Sequence, residues 1–238
     1  MVDRARAING WTMQEVHDMH MTGEHCNLIG KQPDIIEGLK KYGIILSCGP
    51  EFITDSPMWI ADYGPEIDKF IEPWKTWIES GVKLVGQNWG SGTIRSGSHF
   101  RPPFYSLWMA VTRKSDGRVW QPEERIDRVR ALKMWTSWAA EYVQKPDKLG
   151  TLQVGKFADL LVIDRDYFTI PEDDILKVHP LMTMVGGKMI VLQQSLAKDF
   201  GIQSVGPKYD FKDEEVEHIG KPLVEIYKKF KEIGRAHV

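Results

Sequence analysis

In the first half of the chain, apolar positions alternate between short continuous runs and runs spaced at three and four. Gly43 to Cys48 (GIILSC) is continuous, the pattern of a strand covered on both faces, and Val82 to Val85 (VKLV) reads as the next strand. Met21 to Leu28 (MTGEHCNL) is a further strand candidate that ends in polar groups. Between these runs, Pro33 to Tyr42 (PDIIEGLKKY) predicts a helix with Pro in its first turn and Gly43 beyond its end. Gly64 to Ser80 predicts a second helix, because Ile67, Phe70, Ile71, Trp74, Trp77 and Ile78 recur at helical intervals until Gly81 stops them. The Pro-containing stretch between Cys48 and Gly64 reads as a loop. Strands alternating with helices predict parallel βα units.

The middle of the chain is helical. Phe104 to Arg113 predicts a short helix, and Glu123 to Val143 a long one after Pro122, with Ile126, Val129, Leu132, Trp135, Trp138 and Tyr142 as its buried stripe. Beyond Gly150 the pattern becomes short strands at Leu160 to Ile163, Met182 to Val185 and Met189 to Leu192. The last two flank Gly186-Gly187-Lys188 and predict a β-hairpin. The rest, 193–238, is a polar tail with helices expected over Asp213 to Glu217 and Pro222 to Lys231. Its last seven residues, EIGRAHV (232–238), look like translated sequencing adapter, so His237 is set aside from any site.

Composition adds boundaries. With 238 residues, 42% hydrophobic and 27% charged, the chain is an ordinary globular protein. A formal net charge of -2 supplies no bulk attraction for nucleic acid or an anionic membrane, which leaves a small molecule as the expected partner. No apolar run approaches the roughly 18 residues of a membrane span, and the N-terminal residues lack a signal-peptide core, so a cytoplasmic location is expected. Cys26 and Cys48 show no metal-binding spacing and are expected to be reduced and buried. His17 and His20, three apart, sit in a segment expected to be exposed. The glycine-rich GSGTIRSG stretch lacks the helix that a phosphate cradle requires; it reads as an active-site loop, with Arg95 and Arg101 as contacts for an acidic substrate.

A long helix followed by LGTLQVGKFADLLVIDRD (149–166) and then LMTMVGGKMIVL (181–192) resembles the C-terminal end of metal-dependent amidohydrolases of the amidohydrolase 3 group. Gly150, Gly155, Lys156, Ala158, Asp159, Leu160, Asp164, Val185, Gly187 and Lys188 carry the likeness. Upstream, Glu24-His25, GIILSCGP, VKLVGQNWG and LWMAVTR are similar to later strands and helices of that family's barrel, so the resemblance covers roughly residues 23 to 192.

The resemblance implies an α/β fold: a partial TIM (β/α)8 barrel, then a small β-sandwich element and a helical tail, divided as 1–148, 149–192 and 193–238. It implies hydrolysis of amide or related non-peptide C–N bonds by water activated on a divalent metal, zinc being expected. His25 falls on the family's sixth-strand histidine, a metal ligand. Asn88 falls on its eighth-strand Asp, and an Asn cannot take up a proton at neutral pH. No His-x-His pair occurs anywhere in the chain. A complete barrel takes about 250 residues by itself, so the chain reads as the C-terminal part of an amidohydrolase, incomplete and inactive alone. Two alternatives stand beside this: a degenerate, non-catalytic binding protein, and a half barrel that needs a partner chain, either its missing N-terminal half or a second copy.

Overall fold

The computed structural model describes residues 1–87, 104–115 and 117–208. In chain order the elements are α1 (Val2–Asn9), α2 (Met13–Asp18), β1 (Thr22–Glu24), α3 (Pro33–Lys41), β2 (Ile45–Cys48), α4 (Ser56–Tyr63), α5 (Trp74–Glu79) and β3 (Lys83–Gly86). There follow α6 (Tyr105–Thr112), β4 (Lys114–Ser115), β5 (Arg118–Val119), α7 (Arg128–Met134), α8 (Ser137–Tyr142), β6 (Leu160–Ile163), β7 (Pro180–Val185), β8 (Lys188–Leu192) and α9 (Gln194–Asp199). The fold is mixed α/β. It divides into two compact units, residues 1–88 with 121–150, and residues 89–120 with 151–238.

The first unit is built on a parallel sheet of order β1-β2-β3, with Glu24 paired to Ser47 and Cys48 to Gly86. All four residues of β2 are buried, as a continuous apolar run in the middle of a covered sheet requires. Trp74 and Trp77 are fully buried, and the Trp77 indole donates to the Gly30 carbonyl at 2.7 Å.

Two helical expectations need correction. The periodic stretch 64–80 is a 3-10 turn over Pro65–Phe70 and a separate α5. Pro73 is the reason: it cannot continue a hydrogen-bonded helix and disfavours helical backbone in the residue before it. Glu72 turns instead to a φ of 41°. The stretch 123–143 likewise divides into a 3-10 turn (Pro122–Glu124), α7 and α8. Asp127 starts α7 by accepting a hydrogen bond from the Arg130 N–H at 2.8 Å. Thr136 then leaves the helical region with φ -128° and ψ -96°. This breaks the expected stripe: Ile126 is buried as expected, but Val129 is exposed and Leu132, Trp135, Trp138 and Tyr142 are only partly buried, while Ala131, Met134 and Ala140 are buried instead. The stretch between Cys48 and Gly64 contains α4, and the N-terminal helix α2 opens on a reciprocal cap in which Thr12 and Glu15 bond each other's backbone N–H.

The second unit contains α6, buried along its whole length, and an antiparallel sheet of order β6-β7-β8. One face of this sheet packs Leu160, Val162, Met182, Met184, Met189 and Leu192 under Leu196 and Ala197 of α9. Gly186 and Gly187 both have positive φ, as the predicted two-residue hairpin turn demands. Asp159 holds that turn by accepting from the Gly186 N–H at 2.6 Å, and Asp164 accepts from the His179 N–H at 2.7 Å. The acids of the FADLLVID segment are therefore backbone clamps, Asp159 on the β7–β8 turn and Asp164 on His179 just before β7. The expected helices at 213–217 and 222–231 and the residues 232–238 lie outside the described residues. Among the described residues no helix is long and apolar enough to cross a membrane.

One ion pair, with its carboxylate buried and its lysine partly exposed, fixes α5 in the first unit. The Glu124 carboxylate accepts the Thr76 N–H at 2.9 Å and the Thr76 hydroxyl at 2.6 Å, and lies 2.6 Å from the Lys31 ammonium. It thereby satisfies an N-terminal amide that Pro73 leaves without a side-chain cap. Burial pushes the Glu124 carboxyl up, but the hydrogen bonds from Lys31 and Thr76, together with the Lys31 charge, outweigh it and hold the pKa below its ordinary value of 4.5. This contribution to stability is complete above that ordinary value and is lost as pH falls through the lowered one. Replacing Glu124 by Ala is expected to destabilise the protein by about 2–4 kcal/mol at neutral pH. Urea denaturation of both proteins at neutral and acid pH checks this, and the difference between them shrinks on acidification.

Candidate functional site

The parallel register brings the C-terminal ends of β1, β2 and β3 side by side, the edge of an α/β sheet at which ligands bind. His25 is the first residue past β1. Its N–H donates to the Ser47 carbonyl at 2.9 Å, its ring meets Phe52 edge-on at 5.4 Å, and it is exposed. At the end of β3 the Gln87 N–H donates to the Cys48 carbonyl at 2.8 Å. His25, Cys48 and Gln87 thus mark three neighbouring strand ends. Asn88, Arg95 and Arg101, with the GSGTIRSG loop, lie outside the described residues.

The cysteines are buried as expected, but their reduced state is overturned. Cys26 and Cys48 form a disulfide, with Cα atoms 5.6 Å apart at a sequence separation of 22. Their distance in sequence gave no sign of this; the pairing of β1 beside β2 creates it.

Tyr142, from α8, is a second member of this edge that pattern reasoning assigned only to a buried stripe. Its hydroxyl donates to a carboxylate oxygen of Glu24, next to His25. That hydrogen bond, with burial and the Glu24 charge, raises the Tyr142 pKa above its ordinary 10.0, while the Thr22 and Ser47 hydroxyls act in the opposite direction. No local signal in 123–143 could reveal the contact, since its partner lies 118 residues away.

The other histidines do not join it. His17 lies on α2, with Nε2 2.9 Å from the Lys41 carbonyl oxygen, whereas His20 lies beyond that helix with a φ of 47°, so the two do not share a helical face. A cavity of about 210 Å³ beside β3 is lined by Ile45, Ile78, Leu84, Val85 and Trp138, with the Lys83–Glu141 ion pair, and contains none of the candidate residues. Among the described residues no group of three or more His, Cys, Asp or Glu could hold a metal ion. His25 alone is not a metal site, so the described residues do not themselves fit a resident divalent cation.

The amidohydrolase family model matches residues 2–191 of this chain. The chain belongs to the amidohydrolase family. It is 26% identical over 178 residues to the YtcJ protein of Bacillus subtilis, covering 71% of this chain and 32% of that protein. It is also 26% identical over 132 residues to an N-substituted formamide deformylase of Arthrobacter pascens, covering 55% of this chain and 23% of that one. Among solved structures, a metal-dependent hydrolase from Pyrococcus horikoshii is 25% identical, with a TM-score of 0.51 over 63% of this chain and 30% of its own. An adenosine deaminase from Xanthomonas campestris, solved with bound zinc, shares the fold at a TM-score of 0.52 and 14% identity, over 90% of this chain and 42% of its own. This amidohydrolase chain spans about a quarter to a third of the length of the curated relatives it matches.

The Glu24–Tyr142 contact gives this edge a spectroscopic signature. In an ultraviolet titration, the component lost in Tyr142→Phe is expected to ionise above the ordinary tyrosine value. Glu24→Gln is expected to move that component down, since it removes the carboxylate that disfavours the phenolate. A component that Glu24→Gln leaves in place would refute the assignment.

Proposed function

We propose that this chain is the C-terminal part of a hydrolase that cleaves non-peptide C–N bonds of a small amide-like substrate, with a divalent metal, zinc, resident in the complete protein. The observation that carries this reading is the family match across residues 2–191, in a chain that covers only 32% of one curated relative and 23% of another. Residues 1–148 are assigned to a TIM barrel and 149–192 to a β-sandwich element. In support, β1 and β3 each have one strand neighbour among the described residues, leaving two sheet edges that a closed barrel would pair. His25 is the one metal ligand proposed here, and the chain is proposed to carry out no hydrolysis alone because its sequence holds no His-x-His pair. Arg95 and Arg101 are proposed to contact an acidic group of the substrate.

Asn88, at a position the resemblance makes an Asp, favours a second reading, in which the scaffold binds its small molecule without turning it over. The two readings separate on the product of the uninterrupted reading frame that contains this chain. Purified without added metal, the 238-residue chain is expected to hold well under one zinc per chain and to leave N-substituted formamides and cyclic amides intact. The longer product is expected to hydrolyse one of them with bound zinc, and His25→Ala to reduce metal affinity or activity by at least ~100-fold, since even residues behind metal ligands cost 10–100-fold. Metal-dependent turnover by the short chain would overturn its incompleteness. A longer product that binds substrate without turnover until Asn88→Asp is introduced would establish the degenerate reading.

A further inference from the structure

We propose that the Cys26–Cys48 disulfide is a redox-controlled clasp on the turn that carries His25, holding that turn against the end of β2 when oxidised and releasing it when reduced.

His25 and Cys26 are consecutive non-glycine residues with left-handed backbone, at φ 68° and 38°. Such residues are uncommon, and the conformation persists only where the surroundings over-determine it. Three ties do so here. The His25 N–H bonds the Ser47 carbonyl at 2.9 Å, the Cys26 N–H bonds the Glu24 carbonyl at 2.9 Å, and Cys26 is joined covalently to Cys48. The hydrogen bond to Ser47 and the disulfide both anchor the turn to β2. Only the disulfide depends on redox state. The tie is placed where it acts locally, because Cys48 is the last residue of β2 and Cys26 lies two residues beyond the end of β1.

Release by a small dithiol balances as a thiol–disulfide exchange. One thiolate of the reductant attacks a protein sulfur, the S–S bond breaks, and its second thiolate closes the reductant into a cyclic disulfide. Two electrons and two protons pass to Cys26 and Cys48, which end as thiols. Cys26 is 3% exposed and Cys48 not at all, so the reductant gains access only when the turn opens. Freed of the bond, the two left-handed residues can relax towards extended backbone, and the His25 ring leaves its edge contact with Phe52. The clasp acts on the turn itself and holds whether or not His25 meets a metal.

Amide hydrogen exchange of the 238-residue chain, followed by NMR without metal, tests this in three states: oxidised, treated with dithiothreitol, and as Cys26→Ser/Cys48→Ser. On reduction the His25 amide is expected to exchange at least ~10-fold faster while the Trp77 and Val82 amides stay within about twofold, the pattern of a local opening. The double variant is expected to match the reduced protein, and reoxidation to restore slow exchange in the native chain only. If the double variant fails to fold, the reduction and reoxidation of the native chain decide alone. Two alkylatable thiols in the air-oxidised chain, an unchanged His25 amide after complete reduction, or a loss of protection spread evenly over residues 1–88 would each overturn the clasp. None of these outcomes involves metal or turnover, so their failure is separate from failure of the proposed function.

Discussion

The structure depends first on the parallel pairing of β1, β2 and β3. Parallel strands all end on the same side of a sheet, so residues far apart in sequence arrive together at one edge. His25, Cys48 and Gln87 meet there for that reason, and Glu24 lies opposite Ser47 by the same register. A shift of one residue would reverse which side chains of β2 face each side. Both faces of β2 are buried, and the register is held by packing on each of them.

Around that sheet, interruptions of helices matter as much as the helices do. Pro73 ends one helical path and starts α5 at a point where Glu124 can reach the Thr76 N–H. The break at Thr136 divides α7 from α8 and lets the Trp135 ring occupy the space that a Cβ on Gly86 would need. Gly86 therefore permits a close approach that any other residue would block. From α8, Tyr142 reaches the Glu24 carboxylate, so a helix late in the chain contributes to the strand-end edge.

Much of this was legible in the pattern of apolar positions. All three parallel strands, α3, α6 and the β7–β8 hairpin fall where periodicity and turn residues put them, because each depends on short-range chemistry: continuous burial, Pro at a helix start, or a Gly-Gly turn. The resemblance over residues 23 to 192 led to the family, which the match across residues 2–191 establishes. Where pattern reasoning failed, a long-range partner or a backbone break decided the outcome. Residues 64–80 keep a helical spacing of apolar side chains through Pro73, and 123–143 keep one through Asp127 and Thr136; spacing reports which side chains seek burial, while the backbone breaks where a proline or a cap competes.

The sequence by itself determined the strand–helix alternation, the hairpin and the kinship, since these rest on local propensity and on motifs whose acids turn out to clamp neighbouring backbone. Only the tertiary structure decided the state of the two cysteines, the partner of Tyr142 and the setting of His25. Each of these is a contact between segments brought together by sheet register, at separations of 22 residues for the disulfide and 118 for Glu24 with Tyr142, and no local pattern encodes which distant group will be there.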